Sequence, residues 1–120
     1  MVNTPNSFNE AQPLIKDCVS ILEEKKAENI AAINISKLNS LFDYFIITTG
    51  SSQMHCKALA GYITEFMHSK GLKPRMRPDV DSSWIVIDYN DIVFHIFSEE
   101  ARAYYQLERL WADGEHLIFR

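Results

Sequence analysis

Residues 84–111 read WIVIDYNDIVFHIFSEEARAYYQLERLW, from Trp84 to Trp111, and most of the unusual chemistry of the chain lies in this stretch. Two runs rich in β-branched and aromatic residues flank Asp88-Tyr89-Asn90-Asp91, the pattern of a β-hairpin. A two-residue turn demands positive φ at both Tyr89 and Asn90, which tyrosine tolerates badly. A three-residue turn with a left-handed Asn90 is easier and is the reading preferred here. Either way, Ile92, Phe94 and Ile96 share one face of the returning strand, and Asp91, Val93, His95 and Phe97 share the other. The first face is purely apolar and belongs under helices. The second mixes aliphatic and aromatic groups with a carboxylate and an imidazole, and a face of that kind is covered either by another element of the chain or by another molecule. The side on which Trp84 falls depends on the register, which the sequence leaves open.

Downstream, Ser98 is placed as a helix N-cap, with Glu99 and Glu100 favourably set in the first turn. The tail YYQLERLW, Tyr104 to Trp111, has the aromatic, leucine and arginine mixture of interface hot spots. It suits a terminal helix docking on its own core equally well.

Working outward to the N-terminal side, residues before Ser7 are polar and expected to fray. Asn9 with Gln12 resembles a capping box, which puts Pro13 in a tolerable first turn. Leu14, Ile15, Cys18, Val19 and Leu22 repeat at helical spacing, predicting an amphipathic helix that ends near Lys26. Ile30–Ile35 and Tyr44–Thr49 read as strands. Gly50-Ser51-Ser52 breaks the second strand and caps a helix whose apolar face carries Cys56, Leu59, Ala60, Ile63, Phe66 and Met67, with Gly71 as its stop. The order αββα followed by ββα predicts an α+β architecture, a mixed β-sheet with helices packed mainly on one face.

The chain has 120 residues, a net charge of −4 and 47% hydrophobic residues, which fits a single domain over 1–120. No window approaches the roughly 18 consecutive apolar residues of a membrane span. The N-terminus lacks the features of a secretory signal or transit peptide, so the expected compartment is the bacterial cytoplasm. Cys18 and Cys56 fall in helical patterns and read as buried, reduced thiols. Net acidity argues against sequence-blind nucleic-acid binding and for little direct nucleic-acid contact. Lys70, Lys73, Arg75 and Arg77 nevertheless crowd one connector, as a solvated basic loop or as a rim that touches RNA or an acidic partner.

Catalytic signals are weak. Gly50-Ser51 at a strand-to-helix junction resembles the phosphate-holding element of nucleotidyltransferases, but capping explains it fully. Asp79 and Asp81 have the Asp-x-Asp spacing of a divalent-metal pair, yet lie in a proline- and serine-rich connector. His95 among apolar strand residues suits a hydrogen-bonded, half-buried role better than metal ligation. His55, His68 and His116 show no ligand spacing, so no metal, cofactor or catalytic group is expected.

The segments Phe42-Asp43-Tyr44-Phe45-Ile46-Ile47, Gly50-Ser51-Ser52, Trp84 to Asp91, Val93-Phe94-His95 and Tyr105 to Trp111 together resemble the ribosomal silencing factor family, also called the Iojap-related family. The resemblance runs from about Leu14 to Trp111, with a family-like core over about 10–112. It implies a nucleotidyltransferase-like α+β fold without catalytic aspartates. The implied function is translation repression, by binding the large ribosomal subunit through its ribosomal protein fourteen and blocking the small subunit from joining. A large-subunit assembly role at the same site is an alternative that the sequence leaves open. Self-association as a homodimer through the same sheet face is also implied. Carried over by position, the partner-binding residues are Trp84, Asp88, Tyr89, Asp91 and His95 from the hairpin, with Tyr105, Leu107, Glu108 and Trp111 from the tail. The sequence does not separate contact residues from those that hold hairpin and tail together. Three positions depart from the family pattern: Asn90 for a glycine, Met54 for an arginine, and Arg77-Pro78 for Glu-Gly.

Overall fold

The computed structural model describes the backbone of residues 3–118 and the side chains of residues 11–118. In chain order the elements are α1 (Asn3–Glu24), β1 (Glu28–Asn34), β2 (Tyr44–Gly50), α2 (Gln53–Ser69), β3 (Trp84–Asp88), β4 (Ile92–Ser98), α3 (Glu99–Tyr105), α4 (Leu107–Leu110) and β5 (Glu115–Leu117). The strands form one mixed sheet in the order β3-β4-β2-β1-β5. Only β2 and β4 run parallel, a pairing that requires a long crossover, supplied by α2 and the connector to the β3–β4 hairpin.

β2 sits at the centre and is buried along its whole length, which its run of β-branched and aromatic residues suits. On one face lie α1 and α2. Ile15, Cys18 and Leu22 of α1 and Leu59, Ile63 and Met67 of α2 pack there with Ile46, Ile85, Ile87, Phe94 and Ile96 of the sheet. On the other face, Ile33, Ile35, Phe45, Ile47, Val93 and Phe97 meet Ala101 and Leu107 from the short terminal helices. The two faces of β4 therefore divide as its alternation demands. Both cysteines are buried and free.

Two expectations at the ends need correction. The first helix begins at Asn3, ahead of the Asn9–Gln12 capping box. Pro5 in the first turn is compatible with that start, whereas Pro13 lies in the helix interior and removes the amide that would donate to the carbonyl of residue 9. The side chain of Asn9 lies outside the described residues. At the other end, the closing segment is more than a helix. After α4, the chain turns through Gly114 and adds β5 antiparallel to β1, with Leu117 opposite Ala32. A Cβ on Gly114 would stand 2.5 Å from the Ile33 side chain, so only glycine lets the tail pass this close. Three residues are too few to carry a periodic signal, and the strand exists because β1 offered an unpaired edge.

Candidate protein-docking face

Three residues, Tyr89 to Asp91, separate the hairpin strands, and of them only Asn90 has positive φ, at 73°. Asp88 closes the turn by accepting the Asn90 amide at 2.8 Å, and the Tyr89 amide donates to the Ile92 carbonyl at 2.9 Å. The resulting register sets Trp84 opposite Phe97, Val86 opposite His95 and Asp88 opposite Val93. Residues directly opposed share a face. The turn thus settles that Trp84 lies on the mixed face.

There it joins an aromatic cluster. The Trp84 indole N–H donates to His95 Nδ1 at 3.0 Å, and its ring lies 5.0 Å from Phe97 and 4.6 Å from Tyr105. His95 contacts Phe45 edge-on at 4.6 Å, and Phe45 meets Trp111 at 5.4 Å. Because Nδ1 accepts, the neutral ring carries its proton on Nε2, which is buried and has no hydrogen-bond partner among the described residues. Burial pushes the imidazole pKa down to about 4. His95 is therefore an internal, neutral strut, hydrogen-bonded as its apolar neighbours suggested but buried rather than half-buried.

The tail is clamped from below. Arg102 donates from Nε to Glu108 Oε2 at 2.6 Å and from Nη1 to Thr49 Oγ1 at 2.9 Å. This ties α3, α4 and the end of β2 together, with Leu107 buried beneath. Arg102, Phe45 and Val86 belong to this arrangement, although sequence reasoning passed over all three. Strand alternation could have flagged Phe45 and Val86, whereas nothing local marks the pairing of Arg102 with a residue six positions on.

The nine candidate residues thus separate by position. Trp84, Asp88 and Trp111 are partly buried, Asp91 is exposed, and Tyr105 is 48% exposed. Between them, Val86 presents 41% of its surface. Asp91 lies beside Asp43, whose carboxyl is raised by burial first and by the Asp91 charge second. Tyr89 is on the other side of the sheet, packed against Phe94 in the core under the helices. Its phenol is pushed up to about 12 by burial and has no hydrogen-bond partner among the described residues. Tyr89 and Leu107 are not part of the surface, and Glu108 reaches it only with its charge already paired.

The Gly50-Ser51-Ser52 turn is chemically occupied. Ser52 Oγ accepts the His55 amide at 3.0 Å, as a cap should. The Ser51 amide donates to His55 Nδ1 at 2.9 Å, and the other nitrogen, Nε2–H, donates to the Lys25 carbonyl at 2.8 Å, linking the start of α2 to the end of α1. A Cβ on Gly50 would meet Cys56 Sγ at 2.6 Å, so the glycine serves the strand-to-helix packing. Asp79 Oδ1 accepts the Asp81 amide, and Asp81 faces Lys57 at 3.8 Å. Among the described residues, no three histidine, cysteine or acidic side chains cluster as a metal site would need. No helix described is long and apolar enough to cross a membrane.

The fold is thus an α+β protein with a mixed five-stranded sheet, an aromatic, acid-edged face and an internally satisfied Gly-Ser turn. The family model for ribosomal silencing factor during starvation matches residues 8–118. A ribosomal silencing factor from Halalkalibacterium halodurans is 33% identical over 104 residues, 86% of this chain and 89% of that protein. A crystal structure from Chromobacterium violaceum, 32% identical, superposes with a TM-score of 0.78 over 90% of both chains. A mouse protein named for mitochondrial assembly of the ribosomal large subunit is 32% identical over 99 residues, 78% of this chain and 42% of its own length. The chain belongs to the ribosomal silencing factor family.

Proposed function

We propose that this protein is a non-enzymatic translation repressor that binds the large ribosomal subunit through ribosomal protein fourteen and blocks joining of the small subunit by steric exclusion. The observation that carries the reading is the aromatic ledge of Trp84, Val86 and Tyr105, with Asp88 and Asp91 at the hairpin-turn end of the same strand pair, presented by a member of this family. Trp84, Tyr105 and Trp111 supply anchor area, while the two aspartates meet lysine and arginine on a basic ribosomal protein and set orientation and on-rate more than affinity. In this reading His95 and Glu108 hold the face in place from within, and Tyr89 and Leu107 hold the hairpin and tail. Occupation of the Ser51 amide by His55 speaks against a nucleotide phosphate at that turn.

Co-sedimentation with separated subunits tests this. The wild type is expected to pellet with the large subunit only and to suppress joining. Val86→Lys and Asp91→Lys, with unchanged circular dichroism, are expected to lose both activities. Absence of pelleting by folded wild type ends the ribosomal reading. The name of the mouse relative favours one second reading, an assembly factor at the same site. Immature large subunits on deletion, with normal joining of mature subunits, would select that role over silencing.

A further inference from the structure

We propose that a basic cleft on the helical side grips the phosphate backbone of ribosomal RNA, as a second contact beside the protein-docking face. This rests on the large-subunit reading above and deepens it.

The cleft measures about 690 Å³ and lies between the outer side of α2 and the connector that leads to β3. Lys57, Gly61, Thr64 and His68 recur at helical spacing along its α2 wall. From the connector, Lys73, Arg75 and Arg77 line the other side. The connector is held in place. Gln53 Nε2 donates to the carbonyls of Val80 and Ser82 at 3.2 and 2.9 Å, and the Arg75 amide donates to the Asp88 carbonyl at 2.7 Å. Pro78 stiffens the stretch between these ties, and Pro74 stiffens the approach to it. Four cations therefore face one cleft from two anchored walls.

Little within the protein neutralises them. Lys57 meets Asp81 at 3.8 Å in a solvent-exposed contact of small energy, and Arg75 reaches the partly buried Asp88 only at 3.6 Å. Lys73 and Arg77 have no ion pair or side-chain hydrogen bond among the described residues. In a chain of net charge −4, cations gathered in one place call for an external anion.

Two features favour RNA over an acidic protein segment. The rim is continuous with the docking face, because Arg75 is bonded through its amide to the residue that edges that face, and the surface around a ribosomal protein is largely polyphosphate. No Phe, Tyr or Trp lines the cleft, so the His68 imidazole is its one ring, and between the cations the lining is small or aliphatic, with Ala60, Gly61, Pro74, Met76, Pro78 and Val80. Such a site neutralises phosphates without reading bases. On this proposal the chain makes a backbone contact with nucleic acid that net charge alone did not lead us to expect.

The test compares wild type with Lys73→Ala/Arg77→Ala and with Gly61→Glu, on intact large subunits and on isolated ribosomal protein fourteen, across a range of salt. A Cβ at Gly61 meets nothing within 4 Å, so a glutamate fits there without disturbing α2. Removing two phosphate contacts should make the plot of log affinity against log salt shallower by about 2, or roughly tenfold less loss between 50 and 200 mM salt. Gly61→Glu should weaken subunit binding in the same way, and neither change should alter binding to the isolated protein. An unchanged salt slope in both folded variants overturns the RNA contact and leaves the docking face standing. Equal loss on the isolated protein overturns it in favour of an acidic protein segment. Failure of the wild type to bind large subunits removes the parent reading and this one together.

Discussion

His95 shows how one side chain can tie stability to pH without titrating near neutrality. Its pKa is pushed down to about 4 in the folded protein, against about 6.5 when unfolded. Between those values the unfolded chain binds more protons, so the stability that His95 contributes is complete above about pH 6.5 and is lost as pH falls toward 4, by at most about 3 kcal/mol. Protonation also turns Nδ1 into a donor and breaks the bond from the Trp84 indole. Urea unfolding of wild type and His95→Asn should diverge over this window, the wild type losing more stability, because the asparagine amide oxygen takes the place of Nδ1 and accepts from the indole without titrating. Parallel curves would refute the account. The identity of His95 as a strut was legible from its apolar neighbours. Its indole partner was not, because Trp84 could face either way until the turn was known.

At the scale of elements, the terminal helices are too short to hold themselves in place. α3 has seven residues and α4 four, well below the length at which a helix is stable alone. They stay on the sheet because Leu107 and Ala101 are buried there and because Arg102 bridges Glu108 and Thr49. Replacing Arg102 by methionine keeps most of the side-chain volume and deletes the clamp. It should cost about 1.5–3 kcal/mol, the range for hydrogen bonds to charged groups. Fluorescence of Trp111 should shift to the red in the still-folded variant as the tail loosens. Unchanged stability and emission would mean that apolar contacts alone seat the tail. The α3 cap was readable from Ser98 and the two glutamates that follow, since capping is local chemistry. Separation of the tail into α4 and β5 was not, because each is stabilised by what it touches in β1, β2 and β4.

For the whole molecule, the family resemblance implies self-association through the aromatic face that our proposal assigns to ribosomal docking, and one surface cannot do both at once. Sedimentation velocity should therefore show a homodimer that dissociates as ribosomal protein fourteen is added, with Val86→Lys weakening both associations. A ternary complex with the dimer intact would place self-association elsewhere. By itself the sequence determined the α+β class, the helix caps at Ser52 and Ser98, the left-handed Asn90, the two faces of β4 and the family, because these rest on neighbours within a few residues and on periodicity. Only the tertiary structure decided the parallel pairing of β2 with β4, the face of Trp84, the burial of Tyr89 away from the docking surface and the gathering of Lys57 with the connector cations. Each depends on which distant segments meet, and that is set by the joint burial of both sheet faces, which no local pattern encodes.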